Sequence, residues 1–349
     1  MMEVGKMSKA ETGRLCVGVD LHKTQFTICA LNEDGEYLLE KQYPTKEEGY
    51  SEFAREMHRF EEQGCSIELA VETTGNARFF KNRMESEFFA VKVVNTNRFK
   101  VITMSTKKTD ANDAATLAYY LMKDMLPEAH LCSQTSEEIR RLLKTRSVLV
   151  QSMVKIKNQI HGMMLGYGIE TKAAQLQSKR KRQELINDLE DHNFSAYTAP
   201  SLKVMLKILD DLSAEIKGIE KLLEEMVASN EDVALLMTVP GIGINTATVI
   251  AAYTAELERF EGNYKKFASY VGIIPSVHNS NETTHYGRIT KHGPQELRTA
   301  FVQAALGMIR LTNVSSEWRI IKEYQRRKGD KGSGRAIIAL ARKITRIVF

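Results

Sequence analysis

Four carboxylates stand where predicted strands end or a predicted helix begins. Asp20 ends an apolar run in RLCVGVDLHK, and Glu72 ends another in LAVETTG. Asp110 and Asp113, in KKTDANDAATLA, are three residues apart and therefore project from one face of a helix. Carboxylates gathered at one edge repel each other, and their oxygens are the ligands that Mg²⁺ or Mn²⁺ prefers. Two such ions about 4 Å apart would bracket a phosphodiester and stabilise the attacking and leaving oxygens.

Each acid also has an ordinary structural interpretation. Asp20 would accept hydrogen bonds from a turn, and Glu72 would be an anion near a helix start. Asp110 and Asp113 would cap a helix. These roles are the commoner ones for any single acid, but four acids at equivalent edges favour a metal site. His22, beside a carboxylate, is interpreted as a hydrogen-bonded structural group rather than a ligand.

The acids belong to a predicted first domain, residues 14–127. Alternating β-branched residues and an Asp-Gly turn predict three strands, at 14–20, 24–31 and 37–43. Helical and extended patterns then alternate, at 47–63, 67–72, 77–87, 90–94 and 110–123. The order βββαβαβα predicts an α/β, ribonuclease-H-like sheet whose parallel strands are covered by helices.

The middle of the chain, residues 132–230, has a long helical pattern. One predicted helix starts at a cap at Ser136 and ends at Gly166, and a second covers 202–227. Their apolar stripes indicate a helical coiled-coil arm or a subunit interface, with an ordinary helical bundle as the alternative. A basic run at 179–182 fits a solvated face and a phosphate contact equally well.

The last part, residues 231–349, is predicted to be mostly helical and begins with a helix-hairpin-helix pattern. Pro-Gly-Ile-Gly at 240–243 separates two helical runs, where Gly241 and Gly243 would let the backbone approach a DNA phosphate. A tight turn between helices, without a ligand, is the alternative.

A polar segment at 275–291 follows and is expected to be an irregular, functional loop. It ends with Arg288 and Lys291 as candidate DNA contacts. Helices are then predicted at 295–311, 317–327 and 336–348. Basic side chains concentrated near the C-terminus favour a polyanionic partner.

Composition limits the class of protein. The 349 residues suffice for two or three domains, and hydrophobic and charged fractions of 43% and 27% are ordinary. A net charge of +5 and a pI near 8.8 permit nucleic-acid binding without requiring it. Four scattered cysteines fit a reducing compartment. Neither a signal peptide nor a bilayer-spanning stretch is recognisable, so we expect a cytoplasmic protein.

The motifs together resemble a known family, the DEDD-type transposases of bacterial insertion sequences, of the IS one-ten and IS eleven-eleven groups. The resemblance covers nearly the whole chain through VGVDLHK, VETTG, KTDANDAATLA, VPGIG, GIIP, GRITKHG and LR. It implies a RuvC-like catalytic domain, a helical arm and a C-terminal transposase domain. The helical pattern still continues at Phe349, where the resemblance implies a short further stretch.

The resemblance also implies residue roles and partners. Asp20, Glu72, Asp110 and Asp113 would be the acidic tetrad that binds magnesium. A serine after GIIP would be the nucleophile that joins DNA transiently; the matching residue is Ser280, with Ser276 as the competitor. Family members are guided by a structured RNA and assemble as dimers and tetramers on DNA.

Other functions remain open at this point. A RuvC-like nuclease, such as a junction resolvase, would hydrolyse DNA with water and need no serine. A sugar-kinase-like or actin-like ATPase would need a second glycine-rich phosphate loop, which the sequence lacks. A nucleic-acid-binding protein with a decayed site is disfavoured because acids stand at all four positions.

Overall fold

The computed structural model describes residues 13–96, 98–99, 109–188, 194–280, 283–311 and 316–349. The chain divides into two compact units, Met1–Leu131 and Cys132–Phe349. The first is a mixed α/β sheet domain and the second is largely helical, which confirms the predicted mixture of classes. Across these described ranges, no helix is long and apolar enough to cross a membrane.

The first unit contains a five-stranded sheet. Its strands are β1 (Arg14–Leu21), β2 (Gln25–Leu31), β3 (Tyr37–Pro44), β4 (Ser66–Glu72) and β5 (Ala90–Val94). They lie in the order β3-β2-β1-β4-β5, with β1 in the centre. β2 pairs antiparallel with both of its neighbours, whereas β1, β4 and β5 run parallel. All five strands were predictable from the alternating patterns, with ends shifted by a residue or two.

Helices cover both faces of this sheet: α1 (Glu47–Glu62), α2 (Ala77–Glu85) and α3 (Asp110–Met122). Val17 and Val19 pack with α1 and α2, while Cys16 and Ala70 pack with α3. Successive residues of a strand point to opposite faces, so Asp20 and Glu72 emerge on the α3 face. α3 lies very close to β1, because a Cβ at Gly18 would be 2.0 Å from the carbonyl oxygen of Ala114.

Three helices cover the middle of the chain: α4 (Gln134–Leu165), α5 (Lys179–Asp188) and α6 (Thr198–Val227). α4 and α6 are antiparallel, because Arg146 pairs with Glu220 at 2.6 Å while Ile160 shares an apolar cluster with Leu206. The cap of α4 is Ser133 and not the predicted Ser136.

Arg182, in the basic run at 179–182, has neither of the two predicted roles. Its side chain is 3% exposed and pairs with Asp210 at 2.6 Å, and it also donates to the carbonyl oxygen of Leu176. A buried guanidinium needs such partners, because an unpaired charge is costly in the interior. Arg182 therefore ties α5 to α6, while Lys179, Arg180 and Lys181 stay on the surface.

The remaining helices of the second unit share one apolar core with the N-terminal end of α4 and the C-terminal end of α6. They are α7 (Glu231–Met237), α8 (Ile244–Thr254), α9 (Tyr264–Val271), α10 (Gln295–Arg310), α11 (Arg319–Lys331) and α12 (Ser333–Val348). Short 3-10 turns lie at Ala173–Leu176 and Leu257–Phe260.

The segment expected to be an irregular loop is instead a β-hairpin. Its strands are β6 (Pro275–Ser280) and β7 (Thr283–Ile289), which pair antiparallel. The prediction was wrong because the segment is polar on both sides of each strand, so the alternation that marks a half-buried strand is missing. The hairpin is stabilised by backbone pairing between β6 and β7 and not by burial of apolar side chains.

Candidate active site

Asp20 and Glu72 end neighbouring parallel strands of the first unit. Val19 of β1 pairs in register with Val71 of β4, so the next residues, Asp20 and Glu72, lie side by side. Both are part-buried on the face covered by α3. The sheet register therefore fixes two of the predicted acids at one edge.

The other two predicted acids come from the first turn of α3. Thr109 caps this helix, and its hydroxyl accepts a hydrogen bond of 3.2 Å from the backbone N–H of Asn112. Because Thr109 performs the capping, the alternative role of Asp110 as N-cap is wrong. Asp110 and Asp113 are both part-buried, and their charges act on Asp20.

His22 lies in contact with two of these acids. Its Nε2 atom lies 3.1 Å from Oδ2 of Asp20 and 3.5 Å from Oδ1 of Asp110. Asp20, His22 and Asp110 each offer one ligand atom, and these atoms all lie within 4.8 Å of one another. Sequence reasoning placed His22 outside the site; its position two residues beyond Asp20, where the strand ends, was the signal available.

Burial and neighbouring negative charges disfavour the ionisation of Asp20 and Glu72. The pKa of Asp20 is raised, first by burial and then by the charges of Asp110 and Asp113, against the opposing effect of His22. Burial raises the pKa of Glu72, and the charges of Asp20 and Asp113 raise it further. Hard oxygen donors that repel each other in this way fit a divalent cation, which offsets the repulsion.

The serine candidates lie in the second unit, on β6. The backbone of Ser280 ends this strand opposite Thr283, and its side chain lies outside the part of the chain that is described. Ser276 is part-buried against the facing strand, since a Cβ at Gly287 would be 2.3 Å from its Oγ atom. The close contact gives Ser276 a packing role at a register shift of the hairpin.

Arg288 and Lys291 lie at the far end of the same hairpin. Arg288 is an exposed residue of β7. Lys291 has a φ of 57°, and its N–H donates to the carbonyl oxygen of Gly272 at 3.2 Å. The side chains of Arg288 and Lys291 are both exposed, three residues apart at the end of the hairpin.

The two glycines of the predicted helix-hairpin-helix differ in their surroundings. A Cβ at Gly241 would lie 2.4 Å from the backbone nitrogen of Met308 and 2.8 Å from the carbonyl oxygen of Ala304. Packing against α10 therefore explains Gly241 without a ligand. Gly243 is exposed at the start of α8 with nothing near its Cβ position, so a phosphate would reach the helix N–H groups there.

Comparison with known proteins gives the class of this chain. A family model of DEDD type, described as a transposase, matches residues 17–169. A second, described as the transposase IS116/IS110/IS902 family, matches residues 233–325.

Curated relatives match most of the chain. The transposase for insertion sequence element IS1111A of Coxiella burnetii is 24% identical over 341 residues, covering 95% of this chain and 88% of the relative. A probable family 20 transposase of Pseudomonas aeruginosa is 22% identical, covering 95% of both chains. The transposase for IS1328 of Yersinia enterocolitica is 25% identical, covering 83% of this chain and 82% of the relative.

These matches define a DNA transposase of an insertion sequence, and the α/β sheet domain with its acidic edge is consistent with that class. The chain belongs to the IS110/IS1111 family of DEDD transposases.

Proposed function

We propose that this transposase cuts and rejoins DNA strands with an acidic metal site and a serine nucleophile. The metal ligands would be Asp20, Glu72, Asp110 and Asp113, and the nucleophile Ser280. The observation that carries the proposal is the convergence of the acids where β1, β4 and α3 meet, with the pKa values of Asp20 and Glu72 raised. Bound Mg²⁺ or Mn²⁺ would supply positive charge to the scissile phosphate.

The protein's own groups position the reaction. Asp20 and Glu72 are fixed by the strand register, and His22 orients the carboxylate of Asp20 through its 3.1 Å contact. Rigid placement of this kind is what a metal site needs from its ligands. Arg288 would neutralise a scissile phosphate with its fork of N–H donors.

The proposed step exchanges one phosphoester for another. The Oγ atom of Ser280 forms a bond to phosphorus, its proton passes to a base, and the bond from phosphorus to a DNA oxygen breaks. The DNA leaves with that electron pair and takes up a proton as a hydroxyl. Since the number of phosphoester bonds is unchanged, a DNA hydroxyl can reverse the exchange and rejoin strands without ATP.

The proposal extends to partners. Donor and target DNA would be held by the helix start at Gly243 and by Arg288 and Lys291, with packing of Gly241 supporting the turn. A structured guide RNA and a homodimer or homotetramer follow from the family resemblance. The exposed basic residues near the C-terminus give such polyanions a surface.

We also infer the structural type of each of the three predicted domains. The strand order with β2 as the one antiparallel strand of the described sheet supports a ribonuclease-H-like, RuvC-like domain at 14–127. The antiparallel pairing of α4 and α6 supports a coiled-coil arm at 132–230. The short α7, the turn and α8 support a helix-hairpin-helix at the start of a transposase domain at 231–349.

A covalent adduct distinguishes this proposal from a RuvC-like nuclease that uses water. Labelled DNA with the flanks of the gene is incubated with the purified protein, its RNA and Mg²⁺, then denatured and resolved by electrophoresis. Ser280→Ala should abolish the protein–DNA adduct, while Ser276→Ala, the matched hydroxyl on the same strand, should retain it. An adduct that survives Ser280→Ala, or cleavage by the unaltered protein without any adduct, contradicts the serine assignment.

A further inference from the structure

A cavity of about 740 Å³ opens in the first unit beside the acidic edge. A volume in this range is typical of sites that enclose a small molecule or a nucleotide. The loop after β1, the start of α1 and the start of α2 form its walls, with lining residues that include His22, Lys23, Lys46, Tyr50, Asn76 and Phe79.

The cavity and the acidic site share His22. The His22 ring contacts Asp20 at 3.1 Å, and its carbonyl oxygen accepts hydrogen bonds from Thr45 at 3.1 Å and Asn76 at 3.2 Å. These bonds tie the loop after β1 to the start of α1 and to the start of α2. The cavity wall is therefore built before any ligand arrives, and it adjoins the place proposed for a scissile phosphate.

Tyr50 gives the cavity an unused polar group. Its side chain is 2% exposed, and its hydroxyl has no hydrogen-bond partner among the described residues. A buried hydroxyl without a partner is costly, and such groups are rare unless a ligand or water completes them. The Tyr50 ring stacks on Phe26, with centroids 5.3 Å apart, so the aromatic part is already well packed.

The rest of the lining suits one nucleotide. Phe79 is 55% exposed and its ring centroid lies 5.5 Å from that of Tyr50, so it presents an aromatic face at the opening. Lys23 and Lys46 are exposed cations on the wall. Glu47 also lines the cavity, but its carboxylate forms an ion pair with Arg83 at 2.9 Å. An aromatic face combined with cations is the usual way in which proteins hold an unpaired base and its phosphate.

We propose that this cavity receives one unpaired DNA nucleotide of the strand whose phosphate lies at the acidic site, an inference that rests on the proposed function. The base would stack on Phe79 and take a hydrogen bond from or to Tyr50. The neighbouring phosphate would lie near Lys23 and Lys46. A base inside an intact duplex cannot enter, because it is stacked and paired.

The test measures binding without cleavage. A single-stranded DNA 12-mer with 2-aminopurine at each position in turn is titrated with the full chain in EDTA. We expect quenching of the probe, and Phe79→Ala should reduce the quenching and raise Kd about five-fold or more, as for loss of one stacked base. Phe88→Ala is the matched control, since Phe88 is 93% exposed in the same unit and does not line the cavity.

Two more measurements separate stacking in the cavity from misfolding and from general binding of DNA. Tyr50→Phe should weaken binding of the 12-mer without lowering Tm, a result that misfolding would not produce. The same DNA as a blunt duplex should bind equally to the unaltered chain and to Phe79→Ala. Equal effects of Phe79→Ala and Phe88→Ala, a loss on duplex as large as on single strands, or a loss seen with an RNA 12-mer alone would overturn the proposal.

The proposed acidic site is tested separately in the same experiment. Asp20→Asn should keep the 2-aminopurine signal in EDTA while losing strand cleavage in Mg²⁺. Cleavage that persists in Asp20→Asn counts against the metal site. Quenching and Kd that are the same in Phe79→Ala as in the unaltered chain count against the nucleotide cavity.

Discussion

Asp20 lies where the protein alone stabilises an ionised carboxylate poorly. Its side chain is 14% exposed, and the charges of Asp110 and Asp113 oppose its ionisation. His22, at 3.1 Å, is the cationic partner nearest to it among the described contacts, and it is charged only when protonated. A divalent cation offsets this repulsion, so cation binding and folding are linked through Asp20.

Cation-dependent stability tests this property of Asp20. We expect Mg²⁺ or Mn²⁺ to raise the Tm of the unaltered chain relative to EDTA, because a ligand at 100 times its Kd stabilises the folded state by about 2.7 kcal/mol. Asp20→Asn should remove most of that rise, while Glu62→Gln, an exposed acid on α1, should keep it. Scanning calorimetry measures both, and equal rises in the two variants would count against the site.

The pH dependence of stability tests the same carboxylate without a cation. Burial and neighbouring charges raise the pKa of Asp20 above its ordinary value of 3.8 in the folded chain. The folded state therefore binds its proton more tightly, and the stability that Asp20 contributes is lost as pH rises through the folded pKa. In EDTA, Asp20→Asn should gain stability relative to the unaltered chain over the window in which pH rises from 3.8 through the folded pKa, measured by urea unfolding. A difference that stays flat or shrinks over this window contradicts the raised pKa.

Gly241 and Gly307 form a close crossing between the turn before α8 and helix α10. Gly241 has a φ of 90°, which favours glycine, and a Cβ at Gly307 would lie 2.5 Å from the carbonyl oxygen of Gly241. The crossing positions the start of α8, where Gly243 is the N-cap and supplies no side-chain cap.

Replacement of these glycines separates packing from ligand contact. Gly241→Ala should destabilise the chain by about 1–3 kcal/mol, because the new Cβ meets backbone atoms that cannot rotate away. Gly243→Ala, with open space around it, should cost less than about 1 kcal/mol. Urea unfolding of both variants gives the comparison, and an equal loss of stability would contradict the packing role of Gly241.

The elements differ in how far the sequence predicts them. The register that aligns Asp20 with Glu72 follows from two apolar runs of similar length that end in acids, and both runs are visible in the sequence. The N-cap of α3 is also determined by residues that are neighbours in sequence. Thr109 and Asp110 are both suitable N-cap residues, and in the structure Thr109 is the N-cap. The hairpin of β6 and β7 gives no such signal, because its stability comes from cross-strand pairing of polar residues.

Long-range contacts explain the other residues whose roles were not predicted from the sequence. Gly241 is explained by α10, which follows it by more than fifty residues, and Arg182 is buried only because Asp210 comes from another helix. Propensity and periodicity describe neighbours along the chain, so they do not report such contacts. The contact of His22 with Asp110 is also long-range, although the position of His22 two residues after Asp20 is a local signal.

The groups proposed for the reaction are distributed along the chain between the two units. The four acids precede Leu131, in the α/β unit. The serine hairpin, the turn at Gly243 and the basic helices α11 and α12 follow Cys132, in the helical unit. Substitutions in the acidic edge and in the basic helices therefore alter the proposed catalytic groups and the proposed nucleic-acid contacts separately.

Recombination in cells shows whether the acidic edge carries the reaction. A donor plasmid carries the gene within its own flanking DNA, and excision and target junctions are quantified by PCR. Glu72→Gln, which keeps the shape of the side chain and removes its charge, should lower junction formation at least about 100-fold, the order expected for losing an electrostatic group at the reaction centre. Protein level and nucleic-acid binding should be unchanged, and Glu62→Gln should recombine normally. Junctions formed by Glu72→Gln at the level of Glu62→Gln would contradict the acidic site.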